Sequence, residues 1–177
     1  MPAGQLQLYY SRPDLNEPST LEKDERIRQV ETVLGAFFIL PLDTFMNAGG
    51  FDERFFMHYE EIDLFKRLYN MGHFTYFLPT ESVIHYGGQS TKSDYEKMRL
   101  EQQRSLLLYL HKWHGIHAAR LIRIFLISLA LVRFMAAKTV MRGRKENRQS
   151  RQFESASRVI LSGLIHFDFN ATQSFQR

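Results

Sequence analysis

Residues 48–64 read AGGFDERFFMHYEEIDL, and this stretch decides the local fold around it. The diglycine at 49–50 predicts the stop of a short helix over 42–48, because glycine readily adopts the positive φ angle found at helix ends. The acidic run that begins at Glu60 predicts the start of an amphipathic helix over 59–71, since carboxylates are favoured by the unpaired N–H groups of a first turn. The stretch therefore predicts a helix, a glycine turn, an aromatic loop and a second helix in succession.

Upstream of this stretch, VLGAFFIL at 33–40 is an apolar run of strand length that predicts a buried strand. Downstream, FTYFL at 74–78 and SVIH at 82–85 predict two short strands separated by a turn at Pro79. Residues 1 to about 30 are polar and contain three prolines, which predicts a loop followed by a short helical turn. The pattern of mixed short strands and helices places the chain in the α/β class.

The remainder of the chain is predicted to be helical. A long helix over 94–114 ends at Gly115, and a second amphipathic helix covers 153–169, with the basic stretch 142–151 as a solvated linker. The predicted organisation is an α/β domain over 1–115 followed by a basic amphipathic helical tail over 116–177.

Composition excludes several classes of protein. The 177 residues are 44% hydrophobic and 14% aromatic, which excludes a disordered or low-complexity chain. The chain has no cysteine, so a disulfide framework, a thiolate nucleophile and a Cys-ligated metal are excluded, and any metal must bind to His and carboxylates. The first residues show no basic segment followed by an apolar one, so the expected location is the cytoplasm.

Charge is distributed unevenly along the chain. Met1 to His114 carries 12 basic and 16 acidic residues, a net −4, whereas Gly115 to Arg177 carries 11 basic and 3 acidic, a net +8. Within the basic part, the uncharged run 124–132 is nine residues long, short of the roughly 20 that a spanning helix requires. We therefore expect a helix lying in the interfacial plane of an anionic membrane, on its cytoplasmic face, through residues 116–151.

Two other interpretations of the basic part exist. The first is a core helix that packs on its own domain, because such a helix and an interfacial helix show the same periodicity of apolar residues. Nucleic-acid binding is disfavoured because the basic residues alternate with Leu, Ile and Phe instead of forming a polar stripe.

Chemistry-bearing residues cluster in two places. Glu60, Glu61 and Asp63 lie at a predicted helix start, and His85 ends a predicted strand before a glycine pair. Helix capping alone explains acids in a first turn. Crowded carboxylates, however, disfavour the fully charged state, which favours a general-base role for one of them. A histidine near carboxylates is also a plausible ligand for a hard or borderline divalent metal.

An ordered series of these segments resembles the second half of family 2 glycosyltransferases. The segments are VLGAF at 33–37, AGGFDERFFM at 48–57, EEIDL at 60–64 with Arg67 and Leu68, Gly72, Pro79 and VIHYGGQS at 83–90. Within that family the resemblance is strongest to bacterial rhamnosyltransferase-type enzymes of cell-surface polysaccharide assembly. It covers about residues 1–115 and implies the C-terminal part of a GT-A-like nucleotide-sugar transferase domain, followed here by the helical tail.

The resemblance assigns roles to ten residues. The resemblance implies that Glu61 is the general base that deprotonates the acceptor hydroxyl, at a position where the family usually has aspartate. It also implies that Glu60 and Asp63 orient this base. His85 falls on a histidine that contributes to the metal site. Substrate-lining segments fall on small or turn residues: Gly35, Ala36, Gly49, Gly50, Phe51 and Asp52. The implied reaction is inverting transfer from a nucleotide-sugar to a glycan or lipid-linked acceptor, with Mg²⁺ or Mn²⁺ on the diphosphate.

The sequence also departs from the family pattern, because no Asp-x-Asp motif occurs in it. The resemblance therefore implies that the nucleotide-binding half is provided elsewhere: by a segment lost through truncation, by sequence upstream of a start codon assigned too late, or by a separate partner chain. The alternative interpretation is a catalytically inactive, membrane-associated binding or scaffold protein that keeps the same fold.

Overall fold

A computed structural model describes residues 4–13, 27–85, 95–143 and 148–169, and the side chains within 27–78, 95–138 and 154–169. The strands are β1 (Gly4–Pro13), β2 (Arg28–Val30) and β3 (His73–His85). The helices are α1 (Leu42–Asn47), α2 (Glu60–Asn70), α3 (Tyr95–Gly143) and α4 (Arg148–Ile165). The chain forms two compact units, one of Met1–Glu53 with Glu60–Gln89 and one of Arg54–Tyr59 with Ser90–Arg177. Gly115, the predicted domain boundary, lies inside the second unit, and the division into transferase domain and tail stays a prediction.

The first unit contains a three-stranded antiparallel sheet with the strand order β1-β3-β2. The predicted loop at the N-terminus is wrong in part, because Gly4–Pro13 pairs with residues 73–78 and 82–85 of β3. The two predicted strands around Pro79 form one strand, and the register shifts between Gln7 and Leu8 so that 79–81 have no partner in β1. This irregularity accommodates Pro79, which lacks the N–H that a regular ladder position needs.

The segment 33–40 is not the predicted buried strand. Val33 is buried, but Leu34 and Ile39 are about half exposed and a turn begins at Gly35. Continuous apolar composition predicted burial of the whole run, yet only one side of this irregular segment packs against the unit. The core here is small and consists of Val33, Ala48, Leu64, Phe65 and Leu68.

Both predicted helices around the diglycine are confirmed. Helix α1 ends as expected, with the N–H of Gly49 donating to Met46 O and the N–H of Gly50 donating to Phe45 O. Both glycines have positive φ angles, 82° and 67°. Helix α2 starts with the acidic run and buries Leu64, Phe65 and Leu68 on one side.

The second unit is helical, and a break at Gly115 divides α3. Gly115 has φ 83° and ψ 170°, a conformation that is essentially restricted to glycine, so the predicted stop is confirmed although a helix resumes directly after it. Both parts of α3 contribute to one core with α4, which includes Leu107, Ala130, Ile160 and Leu164.

Arg123 connects the second part of α3 to the end of α4. Its Nε donates to Leu164 O at 2.8 Å and its Nη2 donates to Ile165 O at 2.6 Å. A cation at a helix C-terminus satisfies carbonyls that have no partner within the helix. Arg123 therefore binds the end of α4 and does not extend outward, as a cationic side chain of an interfacial helix would.

The opposite side of the same helix carries an exposed apolar stripe. Its members recur at spacings of three and four residues, as on one face of a helix, and are between 50% and 68% exposed: Leu121, Ile124, Phe125, Leu131, Val132 and Met135. Tyr95–Lys138 is, by length and composition, a helix that could cross a membrane, and only 11% of its most apolar window is buried.

Candidate functional site

Arg67 organises the residues around the diglycine turn. Its Nε donates to Asp63 Oδ2 at 2.9 Å, its Nη2 donates to Gly50 O at 2.7 Å and its Nη1 donates to Ala48 O. One planar guanidinium thus binds a carboxylate on its own helix and two carbonyls of the turn, a geometry that its fixed set of donors favours. This contact holds the turn at 48–50 against α2.

Asp63 is fully buried, and the charge of its carboxylate is balanced by the ion pair with Arg67. It is also one of the first-turn carboxylates of α2, where the helix dipole favours negative charge. These contacts stabilise the start of α2, and the role of Asp63 in orienting the base stays a prediction. Glu60 is half-buried in the same turn.

Glu61 is 8% exposed and lies against the backbone of Gly35. A Cβ atom placed on Gly35 would be 3.4 Å from Glu61 Cβ and 3.5 Å from its carboxyl carbon. Within the described part of the chain, Glu61 Oε2 is buried and has no hydrogen-bond partner. A buried carboxylate oxygen without a partner is costly, and such atoms in native proteins call for a functional or solvent explanation. The predicted base thus presents an acceptor atom beside a predicted substrate-lining glycine.

Aromatic rings surround the turn that follows α1. Phe51 is 43% exposed and contacts Phe45 edge-to-face, with ring centroids 5.4 Å apart. Phe38 contacts both Phe51 and the buried Phe65 in the same manner, at 6.5 Å and 5.2 Å. Gly50 lies against the Phe45 ring, since a Cβ atom placed on it would be 3.6 Å from the ring carbons. Phe51 is therefore an exposed member of a packed aromatic cluster, with one side available to a ligand.

The backbone that leads into α2 is strained. His58 and Tyr59 have φ angles of 65° and 70°, which are uncommon outside glycine. Each such residue costs about 1–3 kcal/mol, and strain of this kind is found preferentially near functional sites. No sequence signal indicated it, because neither residue is a glycine or an asparagine.

The metal prediction has no support from the residues whose side chains are described. Among them, no three His, Asp or Glu residues lie together in an arrangement that could hold a metal ion. The backbone places His85 at the end of β3, but its side chain lies outside the described set. The proposed proximity of Glu61 and His85 therefore stays a prediction, and no catalytic step is derived through a metal.

The structure brings together most of the predicted substrate and catalytic residues. Gly35 contacts Glu61, and the turn at 49–50 is bound through Arg67 to the helix that carries Glu60, Glu61 and Asp63. Ala36 lies in the exposed turn beside Gly35, and Asp52 follows Phe51 in the loop after α1. Arg67 belongs to the family motif without a predicted role, although its spacing of four residues from Asp63 indicates a helical ion pair.

Comparison with known proteins finds partial relatives. A segment of 104 residues, 56% of the chain, is 30% identical to the N-acetylglucosaminyl-diphospho-decaprenol L-rhamnosyltransferase of Mycobacterium tuberculosis, in each of two strains. A segment of 81 residues, 46% of the chain, is 31% identical to the rhamnosyltransferase WbbL of Escherichia coli K12. The chain spans about a third of the length of these relatives, 34% and 31% respectively. No protein-family model and no solved structure matches the chain.

These matches agree with the resemblance seen in the motifs, and they support a relationship between this chain and a family of glycosyltransferases that act in polysaccharide biosynthesis.

Proposed function

We propose that this chain forms the acceptor-side part of an inverting, GT-A-like family 2 glycosyltransferase. It transfers a sugar from a nucleotide-sugar to a lipid-linked polysaccharide precursor, with Glu61 as the general base. The observation that carries this proposal is the Glu61 carboxylate, which is buried against Gly35 and has an oxygen without a hydrogen-bond partner in the described part of the chain. Its position at the start of α2, beside the diglycine turn, agrees with the family motif.

In the proposed reaction this carboxylate takes up the proton. Glu61 Oε2 accepts the proton of an acceptor hydroxyl, and the hydroxyl oxygen attacks the anomeric carbon while the bond from that carbon to the diphosphate breaks. Attack from the side opposite the leaving group inverts the configuration. Arg67 and Asp63 keep the base in place by fixing α2 against the turn. Phe51 offers an exposed aromatic surface to a sugar ring.

The donor side of the proposed reaction depends chiefly on residues of the nucleotide-binding half that the family resemblance implies. Mg²⁺ or Mn²⁺ stays the expected partner of the donor diphosphate, because a divalent cation neutralises the charge of a departing diphosphate. The described residues provide no complete ligand set for it. We therefore assign donor and metal binding chiefly to the nucleotide-binding half that the family resemblance implies.

A lipid-linked acceptor places the reaction at a membrane surface. The name of the mycobacterial relative specifies a diphospho-decaprenol acceptor, and the apolar stripe of α3 offers a surface for a bilayer. Residues 102–145 contain no Asp or Glu and nine Lys or Arg, which suits an anionic leaflet. We place the chain on the cytoplasmic face of the membrane.

Contacts within the helical unit favour an interfacial orientation over a spanning one. Helix α4 packs on the second part of α3, on the side away from the stripe, and its own outer side carries Glu154 and Arg158, which form an ion pair at 3.4 Å. A spanning arrangement would place these charges in hydrocarbon, which is costly. An interfacial arrangement places the stripe in lipid and the polar side of α4 in water.

The decisive experiment substitutes Glu61 in the full chain, assayed in membranes with nucleotide-activated L-rhamnose and lipid-linked acceptor, with and without an added nucleotide-binding half. We expect Glu61→Gln to lower kcat at least 100-fold with little change in acceptor KM, because it keeps the shape of the side chain but removes the base. Glu53→Gln, at an exposed carboxylate near the turn, is the matched control and should retain activity. Normal turnover of Glu61→Gln would show that the base is another residue.

The second candidate is an inactive membrane-associated scaffold of the same fold. It is favoured by the lack of an Asp-x-Asp motif in the sequence and of a metal-ligand cluster among the described side chains. This candidate predicts binding to anionic vesicles without sugar transfer under any complementation, whereas the transferase predicts both.

A further inference from the structure

A pocket within the helical unit is not used by the proposed reaction. It is a partly open cleft between the start of α3, the second part of α3 and α4, with a cavity volume of about 40 Å³. Its polar lining consists of Tyr95, Arg99, Gln103, Arg133 and Ser157. A cleft of this size takes only a small polar group, so the remainder of a ligand would lie outside it.

The electrostatics of the pocket favour an anion. Two guanidinium groups, those of Arg99 and Arg133, line it, and no acidic residue does. In the described part of the chain neither arginine is paired with a carboxylate, and Arg99 has only a long contact of 3.4 Å to the neutral amide of Gln102. By contrast, Arg104 and Arg158 of the same unit each have a carboxylate partner. Unpaired guanidinium groups around one cavity are suited to phosphate oxygens.

A third polar group indicates a hydroxyl on the ligand. Gln103 Oε1 is buried and, among the residues described, has no hydrogen-bond partner. This oxygen accepts hydrogen bonds and does not bind an anion, so a ligand with a hydroxyl donor beside its phosphate would satisfy it. The pocket wall beyond these groups is aliphatic and includes Leu126, Leu129 and Ile160, which favours an apolar extension of the ligand.

We propose that this pocket binds a phosphodiester that carries a hydroxyl group, as in the glycerol phosphate headgroup of an anionic phospholipid. Arg99 and Arg133 bind the phosphate oxygens, Gln103 accepts a hydrogen bond from the hydroxyl, and the aliphatic wall contacts the glyceride. The lipid source of this ligand rests on the membrane part of the proposed function; the anion chemistry does not. The same chemistry occurs in the soluble phosphodiester glycerophosphoglycerol, so the experiment must separate the two sources.

The test uses the full chain and isothermal titration with short-chain phosphatidylglycerol below its micelle concentration. We expect saturable binding that falls at least 30-fold in Arg99→Gln/Arg133→Gln, because each charged hydrogen bond lost weakens binding about tenfold or more. Arg120→Gln and Arg158→Gln remove exposed arginines outside the pocket and should bind within threefold of the wild type. Unchanged far-ultraviolet circular dichroism and thermal midpoint show that the double variant is folded.

A second variant, Gln103→Leu, tests the hydrogen bond to the ligand hydroxyl separately. Phosphatidylmethanol carries the same phosphodiester without the glycerol hydroxyls, so the wild type should prefer phosphatidylglycerol about tenfold and Gln103→Leu should lose this preference. Equal affinity for glycerophosphoglycerol and the short-chain lipid would support the anion pocket and assign it a soluble ligand. Absence of saturable binding to either, or wild-type affinity in the double arginine variant, would overturn the proposal. A chain that binds the short-chain lipid but not anionic vesicles would refute only the membrane part of the proposed function.

Discussion

Replacement of Arg67 with methionine tests the contact that fixes the candidate site. The change keeps much of the apolar stem but removes donors to Asp63, to Gly50 O and to Ala48 O. The Asp63 side chain is 0% exposed, so it loses its cation without gaining solvent. Removing one partner of a buried ion pair costs roughly 3–5 kcal/mol.

The expected magnitude lies at the lower end of that range. Asp63 makes a further polar or electrostatic contact, and Arg67 itself is 18% exposed. We therefore expect α2 and the diglycine turn to be destabilised by about 3 kcal/mol, which corresponds to roughly a 150-fold faster amide exchange in these segments.

Hydrogen exchange with mass spectrometry measures this effect locally, on peptides that cover 42–50 and 60–70. Lys66→Met removes a positive charge from the neighbouring position and should change protection by less than about 1 kcal/mol. In the double variant Asp63→Asn/Arg67→Met the loss should be smaller than the sum of the two single losses, because the buried charge is gone. Protection of Arg67→Met within about threefold of the wild type would refute the assigned role of the guanidinium.

Two further predictions concern the helical unit. In Gly163→Ala, three side-chain carbons of Leu100 would lie at or below 3.0 Å from the new methyl group. We therefore expect a lower thermal midpoint by circular dichroism, despite the better helix propensity of alanine; Ser162→Ala, at an exposed neighbour, is the control, and a raised midpoint in Gly163→Ala would contradict the close packing. Arg123→Met removes two hydrogen bonds to the end of α4, and we expect a loss of about 2–3 kcal/mol in local stability over 160–169. The exposed Arg120→Met should cost less than about 0.5 kcal/mol, and equal exchange rates in the two variants would show that the contact contributes little.

The local elements around the site were predictable because their signals are local. A diglycine, a run of acids and an apolar repeat each depend on a few neighbouring residues, and α1, α2 and the break at Gly115 agree with them. The segment 33–40 shows where such signals fail. Its apolar residues are typical of a buried strand, yet the segment forms only a single β-bridge, at Ile39, and Leu34 and Ile39 stay about half exposed.

Pairing over long distances was the main feature that the sequence did not indicate. Residues 4–13 were predicted as part of a loop, although Gln5 to Leu8 alternate polar and apolar side chains, and their strand is formed by hydrogen bonds to β3 about seventy residues away. A register shift in the same pairing removes the interruption that Pro79 was expected to cause. Both outcomes depend on backbone partners, and backbone groups are identical in every residue except proline.

The sequence by itself determined which residues are candidates: the acids at the head of α2, the diglycine, and a cysteine-free, basic C-terminal part with an apolar helix. Only the tertiary structure decided which candidates meet and which atoms they leave available. It places Gly35 on the side chain of Glu61, ties the turn to α2 through Arg67, and directs Arg123 to the end of α4 instead of to a membrane. The physical reason is that burial and hydrogen-bond satisfaction depend on contacts between residues far apart in the chain, whereas helix starts and stops depend on neighbours.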